Sequence, residues 1–156
     1  MNRSRRQTLQ AAGGVGLYGA LVAIGLLNPA MVSAQAFDAA AFNAKTLADT
    51  LKALGAASPT ESKDIVITAP DIAENGAVVP VSVKSNLAKT TQISLLVDKN
   101  PNLLAGTYDI LAAAEPDVSM RIKMGQSSDV MALVKADGKY YMTKKEVKVT
   151  LGGCGG

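Results

Sequence analysis

The chemistry available to this chain is concentrated in one residue. Cys154 is the only cysteine among 156 residues, and it sits in the run Gly152-Gly153-Cys154-Gly155-Gly156. A thiol can be oxidised, joined in a disulfide or loaded with a second sulfur. Glycine has no side chain to pack and the most backbone freedom to lose. The segment from Gly152 to Gly156 is therefore expected to be a flexible arm that no core holds. The three residues beyond Leu151 that end at Cys154 extend roughly 10 Å, enough to enter a cleft on another protein. This is the pattern of a covalent carrier arm rather than of a structural cysteine. Nothing beside Cys154 in the sequence makes the thiol more acidic. It is only partly thiolate at neutral pH, which suits a carrier activated by its partners.

The remaining candidates are few. The chain has no histidine, so the usual general base and the commonest metal ligand are missing. A Cys-His pair is impossible, and one cysteine makes no thiolate zinc site. No catalytic residue, metal or cofactor is expected. Met120, Met124, Met131 and Met142 invite a copper reading, but they fall on alternating strand positions and are expected to fill a core. Asp71 and Glu74 lie next to the Asn75-Gly76 turn and read as a solvated turn rather than an acid/base pair. The run Lys144-Lys145-Glu146 reads as a solvated face or a strand connection, with a charged partner contact as the alternative.

The other end of the chain indicates where such a thiol would work. Arg5-Arg6 within Ser4-Arg5-Arg6-Gln7-Thr8-Leu9 is close to a twin-arginine pattern. An uncharged apolar stretch follows from Ala11 to Leu27, and Asn28-Pro29 breaks it. Val32-Ser33-Ala34 supplies small residues at −3 and −1 for cleavage before Gln35, with cleavage after Ala36 as the alternative. Residues 1–34 are thus expected to be a cleaved export signal, rather than a retained membrane anchor, that directs the chain to the periplasm. Gly13-Gly14-Val15-Gly16 lies inside this segment and is no phosphate loop. Twin-arginine export carries folded proteins, which makes a co-exported partner attractive. An unpaired cysteine in an oxidising compartment points to intermolecular pairing or a reactive role.

Removal of the signal alters the charge argument. Three of the sixteen basic residues, Arg3, Arg5 and Arg6, leave with it, so thirteen basic residues face thirteen acidic ones. With two Phe, four Tyr and no Trp, nothing suggests nucleic-acid binding. About 120 remaining residues suit one domain, expected over 35–151.

The elements that must position the arm are mostly strands. Ala39 to Leu54 reads as one helix, with Phe42, Leu47, Leu51 and Leu54 near one face, Asp38 capping its start and Gly55 its end. The period then changes to two. Strands are expected over 64–69, 76–85, 92–97, 117–124, 129–136 and 139–142, and at Val147, Val149 and Leu151. Asp137-Gly138 reads as a two-residue hairpin turn. Pro80 suggests that Val78 to Val83 lies at an edge or bulge, and 100–108 reads as irregular. About seven short strands separated by turns argue for a mainly β sandwich with an N-terminal helix.

The glycine-flanked cysteine, the twin-arginine signal and the segment Asp71-Ile72-Ala73-Glu74-Asn75-Gly76-Ala77-Val78-Val79-Pro80-Val81 together resemble the SoxY family. These are sulfur-carrier subunits of the bacterial thiosulfate-oxidising (Sox) system. The resemblance implies an immunoglobulin-like sandwich paired with a SoxZ subunit in the periplasm, with Cys154 as the attachment point. It further implies that haem-containing SoxAX couples thiosulfate to the cysteine. The hydrolase SoxB then removes sulfate to leave a persulfide, and a sulfane dehydrogenase, where present, oxidises the outer sulfur.

Two other classes remain. One is a ubiquitin-like carrier, whose Gly-Gly terminus becomes a thiocarboxylate; export and an idle Cys154 argue against it. The other is an adhesion or assembly module joined to a partner by a disulfide through Cys154. In the carrier reading, bulky or β-branched residues in place of Gly152 and Gly153 slow processing by partner enzymes more than they change stability. Parallel turnover and melting measurements check this, and turnover indifferent to such residues would contradict an inserted arm.

Overall fold

The computed structural model describes residues 39–150. The expected export signal and cleavage site, the expected Asp38 cap, Leu151 and the expected arm lie outside the described residues. Two helices, α1 (Ala39–Asn43) and α2 (Leu47–Ala53), precede the strands β1 (Thr60–Glu61), β2 (Ile65–Thr68), β3 (Ile72–Ala73), β4 (Val79–Ser85), β5 (Thr90–Val97), β6 (Leu104–Asp109), β7 (Asp117–Ile122), β8 (Ser128–Ala136) and β9 (Lys139–Val149). The larger sheet runs β1-β9-β8-β5-β6, with β3 also on β9, and the smaller sheet runs β2-β4-β7.

The alternation expected from the sequence builds the space between the sheets. Val79, Val81 and Val83 of β4 face Ile93, Leu95 and Val97 of β5 and Val130, Ala132 and Val134 of β8 in one buried cluster. The expected immunoglobulin-like sandwich is therefore present. The larger sheet is buried on its other face as well. Leu96, Leu104, Met131 and Leu133 pack there against Ala41, Leu51 and Ala56. The middle of β8 is consequently buried without interruption, as in strands covered on both faces. Met124 and Met131 are buried, while Met120 and Met142 pack partly buried against the two clusters, so all four serve as core filling.

The single helix expected over 39–54 is two helices. Thr46 lies in an extended conformation, and its hydroxyl accepts the Asp49 N–H, capping α2. Packing explains the break. Phe42 and Leu47 are five residues apart, and a continuous helix would point them about 140° from each other. Interrupting it between Asn43 and Leu47 lets both lie on the same sheet face. Gly55 has φ 74°, consistent with the expected helix end.

Other differences are equally local. The two strands expected over 139–142 and 147–151 are one, since β9 pairs with β8 from Lys139 to Val147 without a shift. Lys144-Lys145-Glu146 lies within it. Asp137 and Gly138 have φ 48° and 75°, the left-handed pair that a tight hairpin demands. The stretch expected to be irregular contains β6, an edge strand paired with β5 through a bulge at Leu95/Leu96. Pro80 sits in the central strand of the smaller sheet rather than on an edge strand. It is tolerated because β2 stops at Thr68, opposite Ser82, leaving only Arg121 of β7 alongside.

Truncation of Leu96→Ala removes a fully buried side chain from the helix-facing cluster and should cost about 2–5 kcal/mol. Urea denaturation of the two proteins measures it. A cost near zero would mean that the helices are not held by this face.

Candidate functional site

The expected attachment residue, Cys154, and the arm glycines Gly152, Gly153, Gly155 and Gly156 lie outside the described residues. The structure does define the place from which they depart. β9 outruns its neighbour: the last pair with β8 is Ser128 with Val147. The next three residues are held by other means. The Lys148 N–H donates to the Asp71 carbonyl at 3.0 Å, and the Thr150 N–H donates to the Ala73 carbonyl at 3.1 Å. Between them, the Val149 N–H donates to Ser127 Oγ at 2.9 Å. Three consecutive amides are thus satisfied alternately, by the short parallel strand β3 on one side and by a serine hydroxyl on the other.

The strap carrying β3 is itself fastened. Lys145 belongs to the set of β9 residues that face the sandwich interior, two before Val147. It cannot bury its charge there, and its side chain remains about one-third exposed. The ammonium donates to the Ala69 carbonyl at 2.7 Å and pairs with Asp71 Oδ1 at 3.0 Å. At the far end of the strap, Asn75 Oδ1 accepts the Ala77 N–H at 2.9 Å, and the Gly76 carbonyl accepts the Met124 N–H at 2.7 Å. A Cβ on Gly76 would lie 2.4 Å from the Met124 carbonyl oxygen and 2.9 Å from Val149 Cγ1. No side chain fits between the strap and the end of β9.

The sequence reading of Asp71 and Glu74 needs adjustment. Asp71 takes part in the strap through both its carboxylate and its carbonyl, while Glu74 is exposed. The exposed lysine of the charged run, Lys144, pairs with Asp129 at 3.0 Å. The hydrogen bond that Lys144 donates to the Asp129 carboxylate, together with that carboxylate's charge, raises the pKa of the Lys144 ammonium from its ordinary value. Ser127 and Lys145 were legible only as a polar loop residue and one of a charged run. The Asn75-Gly76 signal was legible as a turn, but not as a contact with β9. Among the described residues, no cluster of His, Cys, Asp and Glu assembles a metal site. A shallow, open depression of about 300 Å³ lies between Pro80, Ser82, Ser119 and Arg121, on the outer face of the smaller sheet.

Known proteins give this arrangement a family. The profile of sulfur oxidation protein SoxY matches residues 51–154. The solved structure of the sulfur carrier protein SoxY from Chlorobium limicola f thiosulfatophilum is 39% identical, with a TM-score of 0.63 over 70% of this chain and 96% of that one. The superoxide reductase (neelaredoxin) of Ignicoccus hospitalis is 20% identical, with a TM-score of 0.50 over 55% of this chain and 80% of that one, and shares the fold alone. A point variant of that reductase gives 20% identity and a TM-score of 0.51, over 58% of this chain and 82% of that one. No curated protein sequence matches the chain significantly.

Fold and matches together define a sulfur carrier of the sulfur-oxidation class. The chain belongs to the SoxY family.

The close approach at Gly76 has a measurable consequence. Gly76→Ala must push the strap away from Met124 and Val149, with an expected cost of about 1–3 kcal/mol. Chemical denaturation checks this, and a neutral substitution would show that the strap does not pack as described.

Proposed function

We propose that this chain is a periplasmic carrier that holds thiosulfate-derived sulfur on Cys154 while partner enzymes oxidise it to sulfate. The observation that carries the reading is the family match, whose last residue, 154, is the cysteine. Thr150, the last described residue and four before Cys154, is hydrogen-bonded to the Ala73 carbonyl, which supports the reading by giving the proposed arm a held root.

In this reading, SoxAX removes two electrons as the Cys154 sulfur joins the outer sulfur of thiosulfate, giving a cysteine S-thiosulfonate. SoxB hydrolyses the terminal sulfonate to sulfate and leaves a persulfide. A sulfane dehydrogenase, where present, oxidises the remaining outer sulfur, and SoxB again releases sulfate. The chain itself contributes no catalytic residue. A covalently held intermediate visits several active sites without diffusing away, and a short glycine-rich tether keeps its effective concentration high. A SoxZ subunit is the stable partner, exported with this chain by the twin-arginine signal of residues 1–34.

Intact-mass measurement after incubation with thiosulfate and SoxAX tests the proposal. The parent protein should gain a reducible sulfur adduct. Cys154→Ser should gain none and should melt at the same temperature, because a glycine-flanked arm is expected to contribute nothing to the core. An adduct that persists in the serine variant would overturn the assignment.

A further inference from the structure

The end of β9 is a built feature rather than a frayed one. A chain that runs on for three residues past its last antiparallel pair would ordinarily lose those residues to solvent. Here Lys148, Val149 and Thr150 each have an amide acceptor supplied from outside β8. Asp71 and Ala73 provide two of them, Ser127 provides the third, and Lys145 fastens the strap. Gly76 brings the strap's other end against Val149 at a distance no side chain permits.

We propose that Ser127 and Lys145 are positioning residues for sulfur transfer. Lys145 acts through the strap and Ser127 directly on Val149 to fix the origin of the arm at Thr150, and so set the direction and reach of the Cys154 thiol. This inference rests on the carrier reading above. From Thr150 to Cys154 the chain can extend about 14 Å. Were the three clamped residues released, the origin would retreat to Val147 and the tether would grow from four residues to seven. Reach would rise by about 10 Å. The effective concentration of the thiol at a docked active site would fall by about twofold from length alone, and further as direction is lost. The two residues therefore favour enzymes whose active sites lie at a fixed depth from the docked carrier surface.

The test uses the full exported chain with Ser127→Ala alone, with Lys145→Met alone and with both. Hydrogen exchange at the amides of Lys148, Val149 and Thr150 should accelerate by about tenfold or more in the double variant, while β5 and β8 stay protected. A nitroxide on Cys154 should broaden amides that it does not reach in the parent. Loading with thiosulfate by SoxAX should slow by about twofold or more in its second-order rate constant, and Lys145→Arg, which keeps the charge, should restore most of the loss. The milder Ser127→Ala variant serves if the double variant unfolds. Unchanged exchange and unchanged broadening would overturn the inference. So would faster exchange with unaltered loading, since the strap would then be structural only. If the parent itself fails to load, the carrier reading falls, and exchange and broadening still decide whether these residues fix the arm's origin.

Discussion

Everything in this molecule depends on the larger sheet being buried on both faces. Val130, Ala132 and Val134 of β8 face the smaller sheet, while Met131 and Leu133 face the helices. β5 does the same with Ile93, Leu95 and Val97 on one side and Leu96 on the other. Two apolar clusters thus share one pair of strands as their common wall. At about 25 cal/mol per Å² of apolar surface, this is where most of the favourable energy of folding lies. Burial on both faces also makes these central strands rigid. β9 is hydrogen-bonded directly to β8 and inherits that rigidity up to Val147.

The functional consequence begins where that support ends. A carrier needs two contradictory properties: a stable body, and a thiol that can leave it. In the reading proposed above, the chain separates them along one strand. β9 is anchored by nine successive pairs with β8, then by the strap, and then passes to the glycine-flanked cysteine. The strap also protects the outer edge of β9. β1 pairs with it at Tyr141 and Met142, β3 pairs with it at Lys148 and Val149, and Lys145 bridges between them. An otherwise exposed strand edge is thereby kept from pairing with other chains.

The segment on which the family resemblance rests thus has a physical reason for its residue types. Asp71 to Gly76 forms the strap, the glycine is there because a Cβ would collide with Met124, and Val79 and Val81 begin the buried face of β4. The motif and the cysteine are more than seventy residues apart in sequence, yet the motif borders the root of the segment that carries the cysteine.

The fold class and the family were written in the chain alone, and the candidate chemistry is read from it. A lone cysteine among glycines, the absence of histidine and the two-residue period of the strands are local or compositional facts, readable without knowing what lies next to what. Asp137-Gly138 was equally legible, because a two-residue turn is decided by its own backbone. Whatever depended on neighbours emerged only in the fold. The helix had to break because Phe42 and Leu47 must reach one sheet face. β6 was hidden because an edge strand buries few of its residues and carries no clear alternation. Lys144-Lys145-Glu146 could be placed inside β9 only once β8 was seen to run alongside it. Pro80 could be accommodated in a central strand only because β2 ends two residues short of it. The support beneath the arm was the least legible of all. It is made of single hydrogen bonds, accepted by Asp71, Ala73 and Ser127 and donated by Lys145, residues brought together by strand pairing and not by any pattern along the chain.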